Sequence, residues 1–163
     1  MERFKMLSNN FYSLDLHTGK TNFKLGRNIL CYFIVEHPCS EEFIQEQALQ
    51  LLMTPCRNFD FYGAYSRQWD VGFDSVDIML HPNNEEEFSL TSQWDDFDSF
   101  IDSLELAISC RYLVPCDIYL IYDDKTTYIN VIKALLKSEW IQNFHPEWWR
   151  IVYNEDIEEQ GNS

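Results

Sequence analysis

Cationic side chains are scarce in this 163-residue chain. Twelve Lys and Arg face 27 Asp and Glu, a formal net charge of −15. That balance disfavours nucleic acid and anionic membranes as direct partners, because phosphate binding runs on Lys and Arg. Glycine is also short, at five residues, which leaves no material for a Gly-rich phosphate cradle. No P-loop, H-E-x-x-H or G-x-S-x-G motif occurs. No run approaches the roughly 20 apolar residues of a membrane span. The opening MERFKMLSNNFYSLDLHTGK has neither a long apolar stretch nor a small-residue cleavage site, which predicts no signal peptide and a cytoplasmic location. The five cysteines (Cys31, Cys39, Cys56, Cys110 and Cys116) are odd in number and form no C-x-x-C pair. They are expected to be free thiols in a reducing compartment, and no metal or other cofactor is expected.

Apolar material, by contrast, is plentiful: 45% of residues are hydrophobic and 16% aromatic. Disordered acidic chains lack such residues because they have no core to fill. A folded body therefore holds a surplus of carboxylates, whose mutual repulsion destabilises it unless solubility or attraction to a basic partner is gained. The charge is uneven. Residues 1–28 hold five Lys/Arg against two Asp/Glu, residues 29–124 three against nineteen, and residues 125–163 four against six. The expected organisation is a single α/β domain over 1–153, with a mildly basic segment at 1–28 and a frayed acidic tail at 154–163.

The run from Ile29 to Val35 is continuously apolar and short, as is that from Ile118 to Tyr122. Both predict strands buried on two faces, in the sheet interior. Ser40 with Glu41 and Glu42 predicts a capped helix start. The stripe Phe43, Ile44, Gln47, Ala48, Leu51, Leu52 carries that helix to Thr54-Pro55. Phe59–Tyr65 and Ser75–Leu80 alternate like strands and read as antiparallel neighbours, with SRQWDVGFD as the loop between them. In a loop, Trp69 and Phe73 would be open to exposure. Thr91 or Ser92 precedes a helix whose face is Phe97, Phe100, Ile101, Leu104, Ala107 and Ile108. Thr126 or Thr127 starts a third helix, and Trp148–Tyr153 reads as a last strand. The predicted order is β-α-β-β-α-β-α-β, a mixed sheet with amphipathic helices packed on it.

Two constellations carry chemistry. Glu36, Asp123 and Asp124 each follow a predicted buried strand, where α/β sheets place their sites. Converging carboxylates there would hold Mg²⁺ for phosphoryl transfer. The spacing resembles the Toprim-type pattern in part, but that pattern has Asp-x-Asp and usually Gly after the Glu, whereas here the aspartates are adjacent and His37 follows Glu36. The plainer alternative is that Asp123 and Asp124 open a turn and a helix N-terminus. With no complete motif, no hydrolase activity with Mg²⁺ or Mn²⁺ is expected. His17, His37, His81 and His145 are scattered and read as solvated or capping.

The second constellation is acidic and aromatic. Asp95, Asp98 and Asp102 recur at three and four residues, one column of a helix, with no Lys or Arg four residues on. Glu85, Glu86 and Glu87 precede them, with Trp94 adjacent and Trp69 in the predicted loop. Such a face is either plainly solvated or a surface for a cationic partner anchored by aromatics. In DDFDSFID at 95–102 and NNEEE at 83–87, the chain resembles bacterial immunity proteins, including those of contact-dependent growth inhibition and other polymorphic toxin systems. That resemblance is at the level of class. It implies binding to a cognate basic nuclease toxin, with the carboxylates standing in for phosphates. The alternative is an acidic interaction or regulatory module, a DNA mimic or an adaptor.

Overall fold

A computed structural model describes residues 2–6, 9–17, 28–108 and 116–139. Its core is one six-stranded sheet. The strands are β1 (Glu2–Met6), β2 (Asn9–Asp15), β3 (Asn28–Ile34), β4 (Asn58–Tyr62), β5 (Leu90–Trp94) and β6 (Cys116–Tyr122), in spatial order β1-β2-β6-β3-β4-β5. β2 to β5 and β6 run parallel, and β1 pairs antiparallel with β2. The helices are α1 (Glu41–Leu52), α2 (Ser66–Leu80), α3 (Phe97–Ile108) and α4 (Lys125–Leu136). The mixed α/β sheet is as expected, and β3 and β6 lie at its centre.

The expected element order needs three corrections. Residues 66–80 form one helix, not a loop and a strand. The alternation Val76, Ile78, Leu80 that suggests a strand is outweighed by Trp69, Phe73 and Val76, which share a helical stripe and are buried. β4 therefore has no antiparallel neighbour; parallel β3 and β5 flank it. Residues 90–94 are a strand, so Thr91 and Ser92 lie within β5 and do not begin α3. The basic N-terminal segment contributes β1 and β2, whose Phe11, Tyr12 and Leu14 are buried. The expected strand at 148–153, the tail at 154–163 and Cys110 fall outside the described residues.

Chain direction explains the layering. β3-α1-β4-α2-β5 steps outward to one edge of the sheet, and β5-α3-β6 returns across β4 and β3. Right-handed crossovers going opposite ways put their helices on opposite faces. On one face α1 and α2 pack Ile44, Ala48, Leu51, Trp69 and Phe73 against Phe33, Phe59, Phe61 and Ile121. Trp69 sits among rings, 5.5 Å from Phe33 and 6.2 Å from Phe43 between centroids. On the other face α3 and α4 pack Phe100, Leu104, Tyr128 and Ile132 against Phe11, Tyr32, Ile34 and Leu120. Tyr128 stacks on Tyr122 at 4.2 Å and donates to Ser13 Oγ at 2.8 Å, tying α4 to β2. Cys31 and Cys56 are buried thiols with sulfurs 3.5 Å apart, and burial pushes the Cys31 thiol well up. Among the described residues no helix is long and apolar enough to cross a membrane.

Candidate functional site

The return of the chain from β5 to β6 creates a switch point between β3 and β6, the crevice where open α/β sheets bind ligands. Glu36, Asp123 and Asp124 do meet there, but each carboxylate engages a hydrogen-bond donor of the chain itself. Asp123 Oδ1 accepts from the Glu36 N–H at 2.8 Å, and its Oδ2 from the His37 N–H at 3.0 Å. These are the backbone donors an anionic ligand would otherwise find at such a crevice. Asp124 is the N-cap of α4 in place of Thr126 or Thr127, accepting from the Thr127 N–H at 2.8 Å. That bond, with one from His37 Nε2 at 3.0 Å, holds the Asp124 carboxyl below its usual range. The same contact raises the His37 pKa. Glu36 Oε1 accepts from the Ala64 N–H at 3.1 Å. Gly63 permits this approach: its φ is 122°, and a Cβ there would lie 2.5 Å from both Glu36 Oε1 and the Val35 carbonyl oxygen. The crevice thus joins β3, β4 and β6 through internal carboxylate contacts. Among the described residues no group of three or more His, Cys, Asp or Glu side chains is placed to hold a metal ion.

The acidic surface lies elsewhere, and the structure sorts its members. Asp96 begins α3, accepting from the Ser99 N–H at 3.0 Å and from its hydroxyl, contacts that lower its pKa. Asp95, just before it, is exposed and accepts from Gln93 Nε2 at 2.7 Å. Asp98 and Asp102 are exposed one turn apart on α3, and neither forms an ion pair among the described residues. Glu85, Glu86 and Glu87 form an exposed 3₁₀ turn before β5, where Glu87 meets His81 Nδ1 at 2.8 Å. Because β5 lies between that turn and Asp95, the two acidic groups stand at opposite ends of the strand, roughly 15 Å apart. Ser89, which follows the glutamates, is held by buried Asp77 of α2, whose Oδ2 accepts from the Ser89 N–H and hydroxyl, each at 2.7 Å.

Trp69 requires correction as a partner-binding residue. It is fully buried under α2, so its indole cannot touch a partner. Trp94 is half-buried at the end of β5, and its indole N–H donates to Asp60 Oδ1 at 2.8 Å. Asp60 is a residue that sequence reasoning missed. Phe59 and Phe61 point to α2 and are fully buried, so Asp60 and Tyr62 point to the opposite face. That corner is a shelf beside α3: Asn58, Asp60, Tyr62, Ser92 and Trp94 are half-buried, and Leu90 is exposed. Burial pushes the Asp60 carboxyl up to about 6 against the lowering effect of the Trp94 bond. The available signal was a lone Asp at the middle of an aromatic strand. At the far end of the shelf Glu86 and Glu87 line a cleft of about 600 Å³ with Arg57, Asn58, Phe88 and Leu90.

What this arrangement offers chemically is negative charge beside aromatic surface, with little cationic neutralisation. Between Asn28 and Ile108 there are sixteen Asp/Glu and two Lys/Arg. One of those two, Arg57, donates through Nη1 to the carbonyls of Leu52, Thr54 and Cys56. No protein-family model, curated protein or solved structure matches this chain.

Proposed function

We propose that this protein is an immunity-type inhibitor, which binds a basic nuclease toxin and covers the cleft that would hold a phosphate backbone. The observation that carries the reading is the excess of acidic over basic residues between 28 and 108, where sixteen Asp/Glu meet two Lys/Arg. Exposed Asp98 and Asp102 on α3, with Asp95 and Trp94 at the adjoining end of β5, form a part of this surface that joins acidic side chains to an aromatic one. Such a surface competes with nucleic acid for a basic cleft. Long-range attraction raises association toward about 10⁸–10⁹ M⁻¹s⁻¹ at low salt, which suits a protein that must act before the toxin does.

A pull-down from the native host identifies the gene product that this protein binds, which is then assayed as a nuclease. Stoichiometric addition of the protein should abolish cleavage of nucleic acid by that product, and Asp98→Lys or Asp102→Lys should slow association and flatten its salt dependence. If either carboxylate is buried against an Arg or Lys of the toxin, the loss appears in dissociation instead and costs about 2–5 kcal/mol. Cleavage that persists in the presence of excess protein overturns the reading.

A further inference from the structure

A second surface bears on how such a partner is held. α1 and α2 lie side by side on one face of the sheet, and Gly72 lets them approach: a Cβ there would sit 2.6 Å from Ile44 Cγ2. Above this contact runs an open groove. It comprises two adjoining cavities of about 550 and 340 Å³ that share Gln45 and Ser75. Of seven large apolar side chains exposed among the described residues, five belong to this helix pair and the residue capping α1: Leu49, Met53, Val71, Ile78 and Met79. Leu49 and Met79 face the groove 45% and 72% exposed, and Val71 lines its other end. Concentration of exposed apolar surface in one place marks an interaction site more often than scattered single residues do.

The rim identifies the occupant. Glu41, Glu42 and Glu46 line the groove, α1 carries no Lys or Arg, and Arg67 is the single cation among the lining residues. A second copy of this chain would bring another −15 against that rim, so the complementary occupant is basic. α1 has twelve residues, about 18 Å of groove, which admits three turns of a helix. A helix laid there would place apolar residues at i, i+4 and i+7 against the floor, and methionine adapts to varied shapes. We propose that the α1–α2 groove receives one basic amphipathic helix of the partner. Its apolar stripe rests on Leu49, Val71 and Met79, and its Lys or Arg side chains face Glu41, Glu42 and Glu46. This inference rests on the basic-partner reading above and adds a docking surface to it.

The probe is a fluorophore-labelled Leu/Lys amphipathic peptide of about 14 residues, with a scrambled peptide of the same composition as control. Fluorescence anisotropy should show the amphipathic peptide binding at least about tenfold more tightly than the scrambled one. Leu49→Lys and Met79→Lys should each weaken it about tenfold, a size expected for an anchor residue. Both residues are exposed, so thermal unfolding should confirm that each variant remains folded. Leu106→Lys, the same change at an exposed position of α3 on the opposite face of the sheet, should leave peptide affinity unchanged. Equal binding of the two peptides, no binding of either, or wild-type affinity in both groove variants overturns the proposal. If Leu106→Lys weakens binding as much as the groove variants do, the peptide reads overall charge, and the groove is refuted while the basic-partner reading stands. Groove-dependent peptide binding without nuclease inhibition supports the groove and overturns the nuclease reading alone.

Discussion

Replacing Asp60 by Asn should stabilise the protein at neutral pH and leave it unaltered in acid. Asp60 lies on the open shelf between Phe59 and Phe61, and burial raises its carboxyl from 3.8 to about 6. The folded state therefore holds a proton that the unfolded chain has already released over the interval between those values. Stability contributed by the protonated form is fully present below about pH 4 and is lost as pH rises through about 6. The rise from 3.8 to about 6 corresponds to about 3 kcal/mol, and residual exposure of the shelf reduces this toward about 2 kcal/mol. Asn retains an oxygen that can accept from the Trp94 indole, now 2.8 Å from Asp60 Oδ1, and carries no charge. Urea unfolding followed by tryptophan fluorescence, run from pH 4 to pH 7.5 on both proteins, isolates the residue, because the other carboxylates cancel in the difference. The difference should grow from near zero to about 2 kcal/mol in favour of Asn across that interval. A variant less stable than the parent at pH 7.5, or a difference that does not vary with pH, refutes the reasoning.

Trp69→Ala should cost about 3–5 kcal/mol in urea unfolding, since it empties the centre of the α1–α2 face. Association with the basic partner, measured on the folded fraction, should be unchanged because the ring is buried. Asp123→Asn should cost about 2 kcal/mol by replacing a charged acceptor of two backbone N–H groups, with amide exchange at Glu36 and His37 accelerated; unaltered exchange would show that the crevice holds without that carboxylate. Gly63→Ala combines a φ of 122° with a Cβ 2.5 Å from the Val35 carbonyl oxygen, and should lower stability by about 2 kcal/mol or more on thermal unfolding.

The parts of this fold legible in the chain are those whose signal is local. β3 and β6 are apolar along nearly their whole length because both faces of a central parallel strand are covered. α1 announces itself through Ser40, whose hydroxyl accepts from the Phe43 N–H at 3.1 Å, and through its glutamates at the start. The free, buried Cys31 and Cys56 also follow from sequence habits. β5 gave no such signal: Leu-Thr-Ser-Gln-Trp is an edge strand, mostly half-buried, so nothing requires it to be apolar. α2 was ambiguous, since Ser75–Leu80 satisfies both a period of two and a helical stripe over so short a window. Only the presence of Phe33 and Phe61 beneath Trp69 and Phe73 selects the helix.

The same division applies to charge. The sequence by itself determines the surplus of fifteen negative charges and its concentration in the middle of the chain, because net charge is a sum over residues and needs no geometry. Which carboxylates remain available is a tertiary matter. Asp123 binds the N–H groups of residues 86 and 87 positions away, and Glu36 binds one 28 positions away. Asp98 and Asp102, equally acidic on paper, point into water on α3. Pairing across such distances depends on sheet order, and sheet order is set when the whole core packs.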